Sequence, residues 1–106
     1  MHDWIKLTTR SGVDVRAPTV QDMEATLQEL FVSPRDNEHP DCWLECGSEN
    51  GPLYTLSVFQ SGHMIFHKYS DADMSEELIS KTIEVPDADS SLRLWQALID
   101  GRFNEI

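Results

Sequence analysis

Positively charged side chains are scarce in this sequence, and that scarcity restricts what it can bind. Only 8 Lys and Arg residues stand against 19 Asp and Glu, which gives a formal net charge of −11 over 106 residues. Nucleic acids and anionic membranes both present phosphates, so a surface of this charge repels them. The same surface attracts basic proteins and accelerates encounters with them. The composition therefore favours a protein partner, with no nucleic acid and no membrane.

Long apolar stretches are absent as well. No run approaches the roughly 20 residues that a helix needs to cross a bilayer. The first residues, MHDWIKL, lack the basic start and the apolar stretch of a signal peptide. Neither a low-complexity tract nor a linker interrupts the chain, so residues 1–106 are predicted to form one domain in the cytoplasm.

Cysteine is limited to Cys42 and Cys46, which lie in the strand-like run DCWLEC with both thiols on one face. Four residues of strand separate their Cα atoms by about 13 Å. A disulfide needs less than about 7 Å. We therefore expect two buried, reduced thiols.

Turn residues and apolar spacing divide the amino-terminal part into a hairpin and a helix. The dipeptide Ser11-Gly12 separates the strand-like runs WIKLTTR and VDVRAP. Thr19 can cap a helix that carries Asp22 in its first turn, and Ser33-Pro34 can end that helix. Its apolar stripe, at spacings of three and four, consists of Val20, Met23, Leu27, Leu30 and Phe31.

Three strand-like runs, DCWLEC, PLYTLSVFQ and HMIFHKYS, follow the polar loop PRDNEHP. The turn dipeptides Asn50-Gly51 and Ser61-Gly62 separate them, so an antiparallel meander is expected. Alternation places Leu44, Leu56 and Val58 toward the helices and Trp43, Glu45, Thr55 and Ser57 on the opposite face. In the third run, either Met64 and Phe66 or Ile65 face the core, and the pattern leaves that register open.

The next stretch predicts a capped turn and one more strand. In SDADMSEEL, Asp73 can cap a short helical turn, and Glu76 is placed to complete the cap. SKTIEVP then has the pattern of a strand that Pro86 stops.

A second helix closes the sequence. Asp89 or Ser90 can cap it, and Gly101 suits its carboxyl end. We expect Trp95 and Trp4 to pack inside. The apolar face of the helix consists of Leu92, Trp95, Leu98 and Ile99. The order ββαββββα predicts an α+β fold in which an antiparallel sheet of about five to six strands carries two helices on one face.

One spacing imitates a zinc site. Cys42 and Cys46, followed after sixteen residues by His63 and His67, resemble a Cys2His2 pattern. In strand-like runs the two members of each pair lie about 13 Å apart, too far to share one ion. We therefore expect no metal at these residues.

No other constellation for catalysis or cofactor binding emerges. Asp71, Asp73 and Ser75 alternate as in a calcium-binding loop, but Glu76 and Thr82 occupy the positions that require Gly and Glu. Nothing supplies an oxyanion hole for a Cys–His pair, and no glycine-rich loop can cradle a phosphate. The expectation is a protein that is not an enzyme and that needs no cofactor.

The acidic residues are concentrated in two tracts. Residues 17–50 contain eight acids and one base, Arg35, and residues 69–92 contain seven acids and one base, Lys81. Such charge can serve solubility alone, or it can form an anionic binding face. Aromatic side chains near both tracts favour the second interpretation, because large rigid rings anchor interfaces at low entropic cost.

Four stretches, read in order, are similar to one family of small α+β proteins. They are WIKLTTRSGVDVRAPT with the helix QDMEATLQEL, then WLECGSENGPLYTLSVF, then SGHMIFHKYSDADMSEE, and finally LRLWQALIDGRFNEI. On these stretches the chain resembles the Imm1-like immunity proteins that accompany bacterial polymorphic toxins in contact-dependent and type VI secretion systems. The resemblance implies a non-enzymatic inhibitor that binds a cognate toxin domain and covers or distorts its active site.

We therefore expect a monomeric immunity protein that captures a basic toxin domain, with its carboxylates standing in for the phosphates of the toxin's substrate. The predicted contact residues are Trp43, Glu45, Tyr69, Asp71, Asp73, Glu76 and Glu77. Trp43 and Tyr69 would be the anchors, although Trp43 could instead be a core residue. The alternative function is that of a secretion chaperone or adaptor for an effector protein, which would be a dimer holding an extended peptide.

Overall fold

An antiparallel sheet of six strands forms the framework of the protein in the computed structural model, which describes residues 3–32, 41–49, 51–85 and 87–106. The strand order is β2-β1-β3-β4-β5-β6. The elements are β1 (Trp4–Thr8), β2 (Asp14–Arg16), α1 (Val20–Val32), β3 (Asp41–Gly47), β4 (Leu53–Phe59), β5 (His63–Tyr69), β6 (Glu77–Glu84), α2 (Ala88–Ile99) and a 3-10 turn (Phe103–Glu105). The predicted α+β fold and the order ββαββββα are confirmed. None of the helices among the described residues has the length and apolar character to cross a membrane.

The predicted loop PRDNEHP, the helix end at Ser33-Pro34, and Asn50 and Pro86 lie outside the described residues.

Glycine permits two of the predicted tight turns. Gly12 has φ +88°, and its N–H donates to the Thr9 carbonyl at 2.9 Å. Gly62 has φ +93°, and its N–H donates to the Phe59 carbonyl at 3.0 Å. Both φ values lie in the left-handed region that glycine adopts without steric cost. The hairpins β1–β2 and β4–β5 are therefore confirmed.

Reciprocal hydrogen bonds start α1. The Asp22 N–H donates to Thr19 Oγ1 at 3.1 Å, and the Thr19 N–H donates to Asp22 Oδ2 at 2.9 Å. This capping box satisfies two amide groups that a helix start leaves without partners. The predicted role of Thr19 is confirmed.

The buried side of α1 differs from the predicted stripe at one residue. Met23, Leu27 and Leu30 are buried, but Val20 is 45% exposed. The buried arc extends instead to Thr26, whose hydroxyl donates to the Asp22 carbonyl at 2.9 Å. Val20 and Thr26 lie about 60° to either side of Met23 on a helix, so burying Thr26 turns Val20 toward solvent.

The hydrophobic core lies between the two helices and one face of the sheet. It contains Leu44, Leu56 and Val58, as predicted, and it settles the register of β5, because Met64 and Phe66 are buried within it. Cys42 and Cys46 belong to the same cluster as free thiols, which confirms that prediction too. The other main contributors are Leu7 from β1, Met23, Leu27 and Leu30 from α1, and Trp95 and Leu98 from α2.

Trp95 joins α2 to the middle of the sheet. Its side chain is fully buried, and Nε1–H donates to the Leu56 carbonyl of β4 at 3.0 Å. The prediction that Trp95 packs inside is confirmed. Because a buried indole N–H needs an acceptor, this bond fixes the height and the direction at which α2 crosses the sheet.

The prediction for the start of α2 was wrong by two or three residues. Asp87, rather than Asp89 or Ser90, is the N-cap, and its carboxylate accepts from the Ser90 N–H at 2.8 Å. Asp and Ser are both good caps, and the first of these three residues in the chain takes the role. The predicted carboxyl end is confirmed, since Gly101 follows the helix with φ +75°.

The helical turn predicted for SDADMSEEL does not form. Asp71, rather than Asp73, is the organising acceptor, because its carboxylate accepts from the N–H groups of Asp73 at 3.0 Å and Ser75 at 3.2 Å. Met74 has φ +58°, which ends any helical path, and β6 begins at Glu77 rather than at Ser80. An Asx turn and a helix cap use the same residue types, and pairing with β5 favours the turn.

Replacing Trp95 with Phe should lower the free energy of unfolding by about 2 kcal/mol, because it removes the bond to Leu56 and leaves a cavity. Urea unfolding followed by circular dichroism measures this. The same change at half-buried Trp43 is the control and should cost less than about 1 kcal/mol. Equal losses at the two sites would contradict the anchoring role of Trp95.

Candidate functional site

One face of the sheet carries no helix within the described residues, and we call it the open face. Successive strand residues point to opposite faces, and the core cluster contains the side chains of only one of these faces. The strand register therefore assigns every second residue to the open face. Trp43, Glu45, Thr55 and Ser57 lie there, as predicted.

Four rows of side chains cross the open face, and the outermost of them consists of Asp41, Phe59, His63 and Glu84. The central row runs over all six strands as Arg16, Lys6, Glu45, Thr55, His67 and Ser80. The row on one side of it is Asp14, Thr8, Trp43, Ser57, Ile65 and Thr82. The row on the other side begins with the pair Trp4 and Gly47 and continues with Leu53, Tyr69 and Glu77.

Trp4 covers part of the open face, so the prediction that it packs in the core was wrong. Ile5 lies opposite Cys46 on the helix side, and Trp4 therefore points the other way. Its ring lies over Gly47, where a Cβ atom would overlap three indole carbons. Only a glycine at this position lets the indole lie flat against the sheet.

Leu53 is a buried apolar residue of the open face. It is 1% exposed, although it does not belong to the helix-side core. On the β5 side, Leu53 pairs with Tyr69. On the β3 side, Tyr54 pairs with Cys46, so Leu53 lies beside Gly47, the next residue of β3. The rings of Trp4 and Tyr69 therefore flank Leu53, and they form a small apolar patch without any helix above it.

The centre of the open face is neutralised locally. Lys6 Nζ lies 3.4 Å from Glu45 Oε2, with side-chain exposures of 27% and 12%. Paired and partly desolvated charges of this kind hold their geometry better than exposed ones. Glu45, a predicted contact residue, is therefore already occupied by a base from the neighbouring strand.

His67 joins two of the predicted contact residues. Its Nε2 lies 3.3 Å from Glu77 Oε1, and its ring stacks on that of Tyr69 with centroids 5.6 Å apart. Partial burial raises the pKa of Tyr69, and the neighbouring Glu77 carboxylate adds to that effect. Tyr69 is a neutral, half-buried ring held from one side, which suits an anchor residue.

The remaining predicted contact residues occupy the β5–β6 loop at one end of this face. Asp73 and Glu76 are exposed, and neither carboxylate forms an ion pair with a base among the described residues. Asp71 instead holds the loop together, and the hydrogen bond from the Ser75 N–H lowers the pKa of its carboxyl group. Asp73 and Glu76 are thus available to a partner, whereas Asp71 supports them.

Acidic residues gather at this same end of the sheet. The first residue of β1, the last of β3 and β5, and the first of β6 all lie there, because the strands are antiparallel. The Glu49 N–H donates to Asp3 Oδ2 at 2.8 Å, which adds two carboxylates beyond the strand ends. We call this group the acidic end; it consists of Asp3, Glu49, Asp71, Asp73, Glu76 and Glu77.

The sequence analysis did not assign Trp4, Leu53, His67 or Asp3 to this site. The alternation of Trp4 with Ile5 is the signal that could have placed Trp4 on the open face. Nothing in the local pattern of Leu53 distinguishes it from a helix-side core residue.

The two cysteines lie on the opposite face of the sheet from His63 and His67. Cys42 and Cys46 belong to the helix-side core, whereas His63 pairs with Phe59 and His67 with Thr55 on the open face. The Cys–His pairing considered from the sequence is therefore not formed. In the part of the chain that the structure describes, no three His, Cys, Asp or Glu residues are grouped to hold a metal ion.

Comparison with known proteins yields no match: no family model, no curated protein and no solved structure is significantly similar to this chain. The resemblance to immunity proteins stays a prediction.

Replacing Gly47 with Ala should lower the free energy of unfolding by about 1–3 kcal/mol, because the new methyl group displaces the Trp4 ring. In a Trp4→Ala background the same change should cost less than about 1 kcal/mol, since the obstructing ring is gone. Chemical unfolding of the four proteins in this cycle provides the measurement. Additive losses would mean that Trp4 does not lie over Gly47.

Neither thiol should react with Ellman's reagent in the folded protein at pH 8. Burial raises the pKa of both cysteines, that of Cys46 to about 12, so almost no thiolate is present. In urea both should react at once, which supplies the control for stoichiometry. Rapid labelling of the folded protein would contradict the buried positions of Cys42 and Cys46.

Proposed function

We propose that this chain is a cytoplasmic immunity protein, which neutralises a cognate bacterial toxin domain by binding it through the open face, without catalysis. The observation that carries the proposal is the open face itself. Half-buried aromatic rings project from a rigid sheet on the side without helices, and a group of carboxylates lies at one end.

The aromatic rings supply the anchors. Trp43 is half-buried and stands in a row with Thr8, Ser57 and Ile65, whose side chains are smaller than an indole. A ring that rises among smaller neighbours can insert into a pocket on a partner. Trp and Tyr are the residue types most enriched at energetically dominant positions of interfaces.

The charges at the centre of the open face bear on affinity, and those at the acidic end bear on the association rate. Lys6 already pairs with Glu45, so a partner can cover this pair without leaving its carboxylate unpaired. The acidic end lies beside this centre and keeps Asp73 and Glu76 exposed. Rim charges of this kind mainly raise association rates, which suits a protein that must stop a toxin on contact.

A basic partner follows from the same arrangement. Toxin domains that cleave or modify nucleic acid need cationic clefts to hold phosphates. Carboxylates at the acidic end can occupy such a cleft, while Trp43 and Tyr69 pack against its apolar rim. The proposed complex contains one copy of each protein.

The direct test is growth rescue. Toxin domains encoded by neighbouring genes are the candidates: the cognate one should stop growth when expressed alone, and co-expression of this chain should restore it. Light scattering should then show a one-to-one complex. Failure to rescue, or a homodimer that binds an extended peptide, would overturn the proposal; the second result would favour the secretion chaperone.

Changing Asp73 and Glu76 to Lys should slow association with that toxin domain at least about tenfold at low salt, because the steering charge is reversed. Asp71 is left intact, since it holds the loop. Surface plasmon resonance at two salt concentrations provides the rates.

The matched control changes Glu24 of α1 and Asp89 of α2 to Lys, which alters the net charge equally on the helix side. Its association rate should fall much less. Equal rates for the two variants would remove the acidic end from the interface and leave only a general effect of net charge.

A further inference from the structure

A pocket of about 320 Å³ lies on the helix side of the sheet, between β4, β5, β6 and the 3-10 turn, away from the open face. Three aromatic rings form its apolar walls, those of Tyr54, Phe66 and Phe103. Tyr54 stacks on Phe103 with centroids 4.8 Å apart, and it lies nearly parallel to Phe66 at 6.2 Å. The volume suits a small organic ligand.

Two ammonium groups line the same pocket. The sequence contains only three lysines, and two of them, Lys68 and Lys81, lie here. Lys81 is the cross-strand partner of Phe66, and Lys68 is that of Tyr54, which places both lysines with these rings on one face. In a chain with a net charge of −11, two of the three lysines therefore line a single pocket.

Neither lysine is neutralised by an acidic side chain among the residues that the structure describes, unlike Lys6, which pairs with Glu45. Lys81 Nζ donates to the main-chain oxygen of Ile106 at 2.7 Å. Lys68 Nζ lies 5.7 Å from the centre of the Tyr54 ring. Both contacts leave further N–H donors on each ammonium group, because each carries three.

We propose that this pocket binds a small organic anion in which a carboxylate is attached to an apolar ring or chain. The apolar part lies among Tyr54, Phe66 and Phe103. The carboxylate accepts hydrogen bonds from Lys68 and Lys81, in the direction in which Lys81 already binds the Ile106 oxygen. This site is separate from the open face, so its occupancy does not depend on the proposed function.

The test uses three probes of one shape: 2-naphthoate, neutral 2-naphthamide and cationic 2-naphthylmethylamine. Their binding is measured by chemical-shift titration of the ¹⁵N-labelled protein. Naphthoate should shift the amide signals of residues around the pocket and bind at least about tenfold more tightly than the amide, the size of one charge-assisted hydrogen bond. The amine should bind more weakly still.

Variants identify the site. Lys68→Gln with Lys81→Gln should abolish the preference for naphthoate over naphthamide, and Lys68→Gln alone should reduce it. Lys6→Gln, on the open face, is the matched control and should retain it. The proposal is overturned by equal affinity for the acid and the amide, by shifts centred elsewhere, by loss of preference in the Lys6 variant, or by no binding at millimolar naphthoate.

Discussion

The packing of both helices against one face of the sheet is the constraint on which the rest of the structure depends. Trp95 fixes it, because its indole is fully buried and donates to the Leu56 carbonyl in the central strands. The other face must then shield its own centre. Among the residues that the structure describes, side chains do this: the Trp4 ring over Gly47, the patch around Leu53, and the Lys6–Glu45 pair. A face built in this way has rigid geometry and half-exposed rings, which a binding surface requires.

The few bases of the chain pair with only some of its many acids. Lys6 neutralises Glu45 in the middle of the open face, and Arg102 pairs with Asp100 and Glu105 beyond α2. The acidic end lacks such partners for Asp73 and Glu76 among the described residues. These two carboxylates are therefore open to solvent or to a partner.

Local rules predicted much of the fold from the sequence. Turn glycines, the capping box of α1 and the alternation in β3 and β4 each act over a few residues, so Trp43 and Glu45 could be placed correctly. Other features depend on which of several similar residues takes a given role. Asp71 and Asp73 are equally good local acceptors, and only the pairing of β6 with β5 decides between them. Alternation with Ile5 could have placed Trp4 on the open face, but the contact of its ring with Gly47, 43 residues away, is one that no local pattern reveals.

The three tryptophans allow the most direct test of the central claim, that the open face is the surface that binds a toxin domain. Each contributes one indole N–H signal to a ¹⁵N-correlated spectrum of the protein with and without a toxin domain identified by growth rescue. Binding should shift the signals of Trp4 and Trp43 and leave that of Trp95, which is sealed against Leu56, in place. A bound toxin domain that leaves Trp4 and Trp43 unchanged would contradict the account.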